Sequence, residues 1–210
     1  MKKYAPTRDA QVRDALLKKV IAEHVVLQSS LVIEELGLEH GACRVDVAVV
    51  NNSIHGYELK SDSDNLDRLP FQIATYSRSL DKATLVVAEK HLKKSVDLLP
   101  DWWGIKVVTT GSRGAVNIST VRPVSYNSSI SPFHLAHLLW RPEVEDILRA
   151  KGLPEKLLRT NKAGLYKLLV ETSKLSELRK YVRDSLKCRT KWRSQTQLAS
   201  GDDYSLQSAM

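Results

Sequence analysis

The sequence predicts an α/β fold followed by a helical region, on three observations. Residues 44–50, Arg-Val-Asp-Val-Ala-Val-Val, and residues 54–59, Ile-His-Gly-Tyr-Glu-Leu, are strand-forming runs separated by Asn51-Asn52-Ser53, a hairpin signal. A wholly apolar run at residues 83–88 lies between two amphipathic helical stretches, the pattern of a central parallel strand buried on both faces. Beyond residue 131 the apolar spacing is helical. A chain of 210 residues, 42% of them apolar, can bury one ordinary α/β core and carry a small appendage.

Taken in order, residues 9–26 read as a helix with Val12, Leu16, Leu17, Val20 and Ile21 on one stripe. Residues 31–38 fit either a strand or the last turns of a helix capped at Gly37, and they place Glu34 and Glu35 side by side before the hairpin. If Asn51-Asn52-Ser53 forms a three-residue loop, Val50 faces Ile54 and the same register sets Asp46 opposite Glu58. Lys60, two positions beyond Glu58, points to the same face. A two-residue turn would shift the register by one and separate the three.

Residues 61–64, Ser-Asp-Ser-Asp, are turn-like, and Pro70 suits the first turn of a helix running to about Leu80 with Ile73, Tyr76 and Leu80 inward. A helix at 91–99, a strand at 105–109, a turn at 111–114 and a weaker strand at 115–121 complete an α/β sandwich. Residues 126–131, rich in Ser and Asn, read as a linker. Helices follow at 132–139, 142–150, 162–170 and 175–188, and the polar sequence from Ser194 has the composition of a disordered tail. The expected organisation is a main domain over 1–125, a basic helical region over 132–193 and a tail over 194–210.

Composition narrows the function classes. There is no run of about eighteen apolar residues, and the N-terminus leads into polar sequence, so a soluble, cytoplasmic protein with no membrane partner is expected. Cys43 and Cys188 are isolated, which argues against a disulfide framework, a zinc ribbon or a four-cysteine cluster. Residues 141–193 hold fifteen Lys/Arg against seven Asp/Glu, a surplus equal to the whole chain's net charge of +8. Basic charge so localised is the footprint of a polyanion, because neutralised phosphates release their counterions; a solvated lysine-rich face is the plainer alternative. Arg159, Lys162, Lys167 and Arg179 are the candidate nucleic-acid contacts.

The chemistry points to the hairpin. Two carboxylates on neighbouring strands suit a hard divalent cation such as Mg²⁺, and a lysine beside them can orient a nucleophile or offset transition-state charge. These are the parts of metal-assisted phosphodiester hydrolysis. Glu58-Leu59-Lys60 is the one Asp/Glu-x-Lys triplet in the chain. An ion pair on an edge strand is the alternative. His134 and His137, at i and i+3, lack a third ligand nearby in sequence and read as packing or surface residues. Gly111-Ser112-Arg113-Gly114 reads as a turn, and Trp102-Trp103 as core.

This order of elements resembles the PD-(D/E)xK nuclease superfamily, whose restriction-endonuclease-like core is αβββαβ. Arg-Val-Asp-Val-Ala-Val-Val-Asn at 44–51, Gly-Tyr-Glu-Leu-Lys-Ser-Asp at 56–62, Leu-x-Arg-Leu-x-x-Gln at 66–72 and Pro-Asp-Trp-Trp-Gly at 100–104 are similar to an uncharacterised bacterial and phage branch of it. The resemblance implies Asp46 and Glu58 as metal ligands, Lys60 as the catalytic lysine and Gln72 as a residue lining the site. It also implies a metal-site glutamate on the first core helix, here Glu35 or its neighbour Glu34. Val45 stands where the superfamily often has proline. The implied activity is Mg²⁺- or Mn²⁺-dependent hydrolysis of nucleic acid, DNA first, by a protein of a fold that often pairs as a homodimer. A catalytically silent nuclease fold serving as a binding or assembly protein of a phage or defence system is the alternative. Residues 144–178 further resemble a SAP-like helix-extended-helix DNA-binding module, with a helical cap over the sheet as the competing reading.

Overall fold

The computed structural model describes residues 6–24, 30–111 and 115–189, and every structural statement concerns these. The expected tail, the middle of the turn at 111–114 and the side chains of Val20 and Ile21 lie outside them. A first helix, α1 (Asp9–His24), precedes three strands, β1 (Leu31–Leu38), β2 (Cys43–Val50) and β3 (Ile54–Lys60). Then come α2 (Leu69–Ser79), β4 (Lys82–Ala88), α3 (Glu89–Val96), β5 (Gly104–Thr110) and β6 (Val116–Arg122). The strands form one mixed six-stranded sheet in sequential order. β1, β2 and β3 pair antiparallel, β3, β4 and β5 parallel, and β6 returns antiparallel on β5. Residues 31–38, equivocal in sequence, are a strand, because Leu31, Ile33, Leu36 and Leu38 find apolar partners along β2 and beyond.

α1 covers one face, burying Val12 and Leu16 against Val47, Val49, Tyr57, Leu59, Val86 and Val108. The other face carries the larger core, on which α2 sets Tyr76 and Leu80. A Cβ at Gly56 would stand 2.6 Å from Leu80 Cδ1 and 3.0 Å from Val45 Cγ1, so the close seat of α2 on β3 depends on glycine there.

Five helices complete that face: α4 (Pro132–Ala136), α5 (Arg141–Ala150), α6 (Glu155–Leu158), α7 (Lys162–Glu171) and α8 (Leu175–Cys188). Leu135, Val144, Leu148, Leu165, Leu169, Leu178, Val182 and Leu186 join the same apolar cluster as the sheet residues. The helical region is therefore a cap that shares the sheet's core, and α6 occupies the break where an extended segment was expected. Residues 126–131 are no free linker: Asn127 is buried and its Nδ2 donates to the Ser77 and Leu80 carbonyls. No helix among the described residues is long and apolar enough to cross a membrane.

Candidate active site

The hairpin register is the one the three-residue loop requires. Val50 pairs with Ile54, and the ladder runs on through Val49 with His55 and Ala48 with Gly56 to Val47 with Tyr57. There it stops, and the reason is local. Val45 and Val47 are two residues apart but pack on opposite sides of the sheet, so β2 rotates at Asp46. Across it on β1, Glu35 takes a left-handed φ of 55° and is skipped between the pairs Glu34 with Val47 and Leu36 with Val45. Such a conformation costs on the order of 1 kcal/mol or more and marks a site over-determined by its surroundings.

Into the opening between β2 and β3 the Asp46 side chain inserts, and its Oδ2 accepts the Leu59 N–H at 2.7 Å, in place of a strand partner. Glu58 and Lys60 share the α2 face beside it. Lys60 Nζ donates to Glu58 Oε1 at 2.6 Å, and the Tyr76 hydroxyl donates to Glu58 Oε2 at 2.5 Å, with Glu58 1% and Lys60 6% exposed. Burial, together with the nearby Glu58 charge, pushes the Asp46 carboxyl up to about 7, against the Leu59 N–H, Arg13 and Lys60, which favour the ionised form. Burial and the Glu58 carboxylate likewise drive the Tyr76 hydroxyl far above its usual range, so it is a proton donor here.

A cleft of about 510 Å³ opens beside Asp46, lined also by Glu35, Arg44, Arg68, Phe71 and Gln72. Gln72 is 8% exposed, and its Oε1 is buried without a hydrogen-bond partner, an atom with acceptor capacity to spare. Glu34 and Glu35 lie on β1 and not on a helix, which corrects the expected placement. Their carboxylates are drawn to Arg13 of α1, at 3.6 Å and 3.0 Å, as is Asp46 Oδ1 at 3.5 Å. The carboxylates of Glu35, Asp46 and Glu58 are not gathered closely enough to form a three-ligand cluster among the described residues.

The basic candidates divide. Arg159, Lys162 and Lys167 are exposed on the cap. Lys162 Nζ reaches His40 Nδ1 at 3.0 Å, and Lys167 lies 3.8 Å from Glu171. Arg179 instead turns inward: its Nε lies 2.8 Å from the buried Asp81 Oδ1, an ion pair outside hydrogen-bond angles that ties α8 to the sheet. Sequence reasoning missed Arg13, Arg44 and Arg68. Arg44 and Arg68 flank motif residues and were legible as cleft charges, whereas nothing local marks Arg13 as a partner of Asp46. It also passed over a second cluster, Glu39 with His134 and His137, whose members are distant in sequence.

Fold and cleft together define a mixed α/β protein with an acid–lysine cluster at the split end of a hairpin. A model of the bacteriophage P4 protein cII family matches residues 2–206, and the chain belongs to that family. Protein cII of Enterobacteria phage P4 is 27% identical over 184 residues, covering 87% of this chain and 67% of the phage protein. No solved structure matches the chain.

Proposed function

We propose that this P4 cII-family protein is a metal-dependent nuclease acting on DNA through a restriction-endonuclease-like core. The observation that carries the reading is the meeting of Asp46, Glu58 and Lys60 at the opening between β2 and β3, beside a cleft lined in part by Gln72, whose buried Oε1 has no hydrogen-bond partner. The order α1-β1-β2-β3-α2-β4 agrees with the αβββαβ order of the PD-(D/E)xK superfamily.

The donor set fits Mg²⁺ or Mn²⁺, which take oxygen ligands and tolerate few carboxylates when waters and phosphate oxygens supply the rest. Asp46 and Glu58 would hold the ion. Each Glu58 oxygen accepts one hydrogen bond and keeps further lone-pair capacity, so Lys60 and Tyr76 do not exhaust it. Glu35, paired to Arg13, would act through water at most. The bound ion supplies Lewis acidity toward the phosphodiester and a more acidic water. Lys60 keeps ammonium hydrogens beyond the one given to Glu58 and can direct them at a phosphate oxygen or the attacking water. Gln72 Oε1 can accept from that water, and Arg44 and Arg68 place positive charge where flanking phosphates enter.

One observation favours a second reading, a catalytically silent fold that binds nucleic acid through its cap: every acid of the cluster already has an internal partner. Plasmid and oligonucleotide cleavage with Mg²⁺ or Mn²⁺ separates the two. EDTA-sensitive cleavage lost about 10³-fold in Asp46→Asn and Lys60→Ala, with DNA binding kept, is the expected result. Cleavage undiminished in both variants overturns the assignment, and salt-dependent binding without turnover supports the silent fold.

A further inference from the structure

The fold brings together three potential metal ligands that the hairpin chemistry does not use. Glu39 opens a 3-10 turn, Glu39–Gly41, between β1 and β2. His134 and His137 come from α4 and its C-cap, 95 and 98 residues further on. His134 Nδ1 lies 2.5 Å from Glu39 Oε1, and His137 Nδ1 lies 2.7 Å from Glu39 Oε2. One ligand atom from each residue lies within 4.8 Å of the others. Each side chain is only partly covered, at 25%, 12% and 20% exposure for His134, His137 and Glu39, so the cluster is reachable from solvent.

Two features set this apart from a chance ion pair. Glu39, His40 and Gly41 are all left-handed, with φ of 47°, 58° and 96°, and two of them are not glycine. A run of strained backbone persists where its surroundings over-determine it, and here it aims the Glu39 carboxylate at both rings. The His137 ring is also flanked by other rings: His40 lies 4.6 Å, Phe133 4.7 Å and Tyr166 4.9 Å from it, centroid to centroid. Ligands held by packing before the ion arrives lose little freedom on binding it.

We propose that Glu39, His134 and His137 form a binding site for a transition-metal ion of the Zn²⁺ class, stapling the cap to the β1–β2 turn. Two imidazoles and one carboxylate are a known Zn²⁺ donor set, with water completing the tetrahedron. Ligation through Nδ1 needs that nitrogen free of its hydrogen, so a ring that binds the ion there carries its one N–H on Nε2. Hard Mg²⁺, by contrast, prefers the all-oxygen cluster at Asp46.

The test uses the full chain with Co²⁺ or Zn²⁺ alone. Co²⁺ should bind one ion per chain with tetrahedral d–d absorption, and Zn²⁺ at a hundredfold excess over its Kd should raise Tm by about 5–10 °C. Glu39→Gln, His134→Gln and His137→Ala should each weaken binding more than about tenfold and remove the Tm rise. Asp46→Asn should leave both readings intact, which keeps this site distinct from the nuclease assignment. Glu39→Gln, nearly isosteric and checked by circular dichroism, guards against an unfolded variant. Absence of Co²⁺ binding, equal binding by the folded Glu39→Gln protein, or loss of binding in Asp46→Asn overturns the proposal.

Discussion

Glu39 and Asp46 belong to the same β1–β2 hairpin, yet they are stabilised in opposite ways. Asp46 sits among groups from adjoining strands and from α1. Its carboxyl is raised because burial and a second carboxylate outweigh one backbone N–H, one lysine and one arginine. Glu39 sits at the turn, and its carboxyl is lowered: burial opposes ionisation, but hydrogen bonds from His137 and His134 outweigh it. The strand cluster crowds two acids together, and at Asp46 the nearby Arg13 and Lys60 do not offset burial and the Glu58 charge. The turn cluster has its negative charge already shared by two rings. The lesson is that a buried acid whose partners fail to offset its burial is the better candidate for chemistry, and one whose partners outweigh it the better candidate for holding parts together.

The sharpest way to break this contrast is Glu58→Ala. It leaves the Lys60 ammonium buried without its partner and should destabilise the protein by about 3–5 kcal/mol in urea unfolding, far more than Tyr76→Phe, which removes the hydroxyl shared between Glu58 and the Arg44 carbonyl. Should Glu58→Ala cost no more than Tyr76→Phe, the buried pair is not a pair in solution.

Next in size is the pH dependence of metal binding at the strand cluster. With Asp46 raised to about 7, the ion must displace a proton below that pH, so Mn²⁺ affinity should rise about tenfold per unit up to about pH 7 and level off above it. The metal-free fold should move the other way. Folded Asp46 holds a proton between its unfolded pKa, near 4, and about 7, so stability contributed there falls as pH rises through that window and is flat above it. Calorimetric titration and denaturant melts across the range read both, and a flat Mn²⁺ affinity would contradict the crowding of Asp46.

The turn cluster should answer more mildly. Glu39→Gln without added metal should cost about 1–3 kcal/mol, the loss of a charged acceptor from two hydrogen bonds, with no effect on Mn²⁺ affinity. The smallest effect is on the cap. Lys167→Ala or Arg159→Ala should weaken DNA binding uniformly across sequences and reduce the salt slope by about 1 each. Arg179→Ala should act through stability, since it leaves the buried Asp81 carboxylate with the Ile54 N–H but without the Arg179 charge, and filter binding beside thermal melts would tell the two apart.

How much of this could be read from the chain depends on the range of each interaction. The hairpin register followed from Asn51-Asn52-Ser53, because a turn's length sets the pairing of the strands it joins. Glu58 and Lys60 then share a face by the period of a strand, which brings their contact at 2.6 Å within reach. Pro70 and the stripe Ile73, Tyr76 and Leu80 placed α2, though not the reach of Tyr76 to Glu58. Residues 31–38 stayed equivocal because eight residues with alternating and helical matches cannot be told apart until a neighbouring strand claims them.

By itself, then, the sequence determined most of the elements, the hairpin register and the acid–lysine face, since these rest on periodicity and turn chemistry within a few residues. It did not determine that residues 31–38 are a strand or that α6 fills the break before α7. Only the tertiary structure decided that Arg13 reaches Asp46, that Arg179 turns to Asp81 and not to solvent, that the cap shares the sheet's core, and that His134 and His137 meet Glu39. Each of those depends on packing between segments tens of residues apart. No local propensity encodes such contacts, because apolar burial and the pairing of buried charge settle them only when the whole chain has folded.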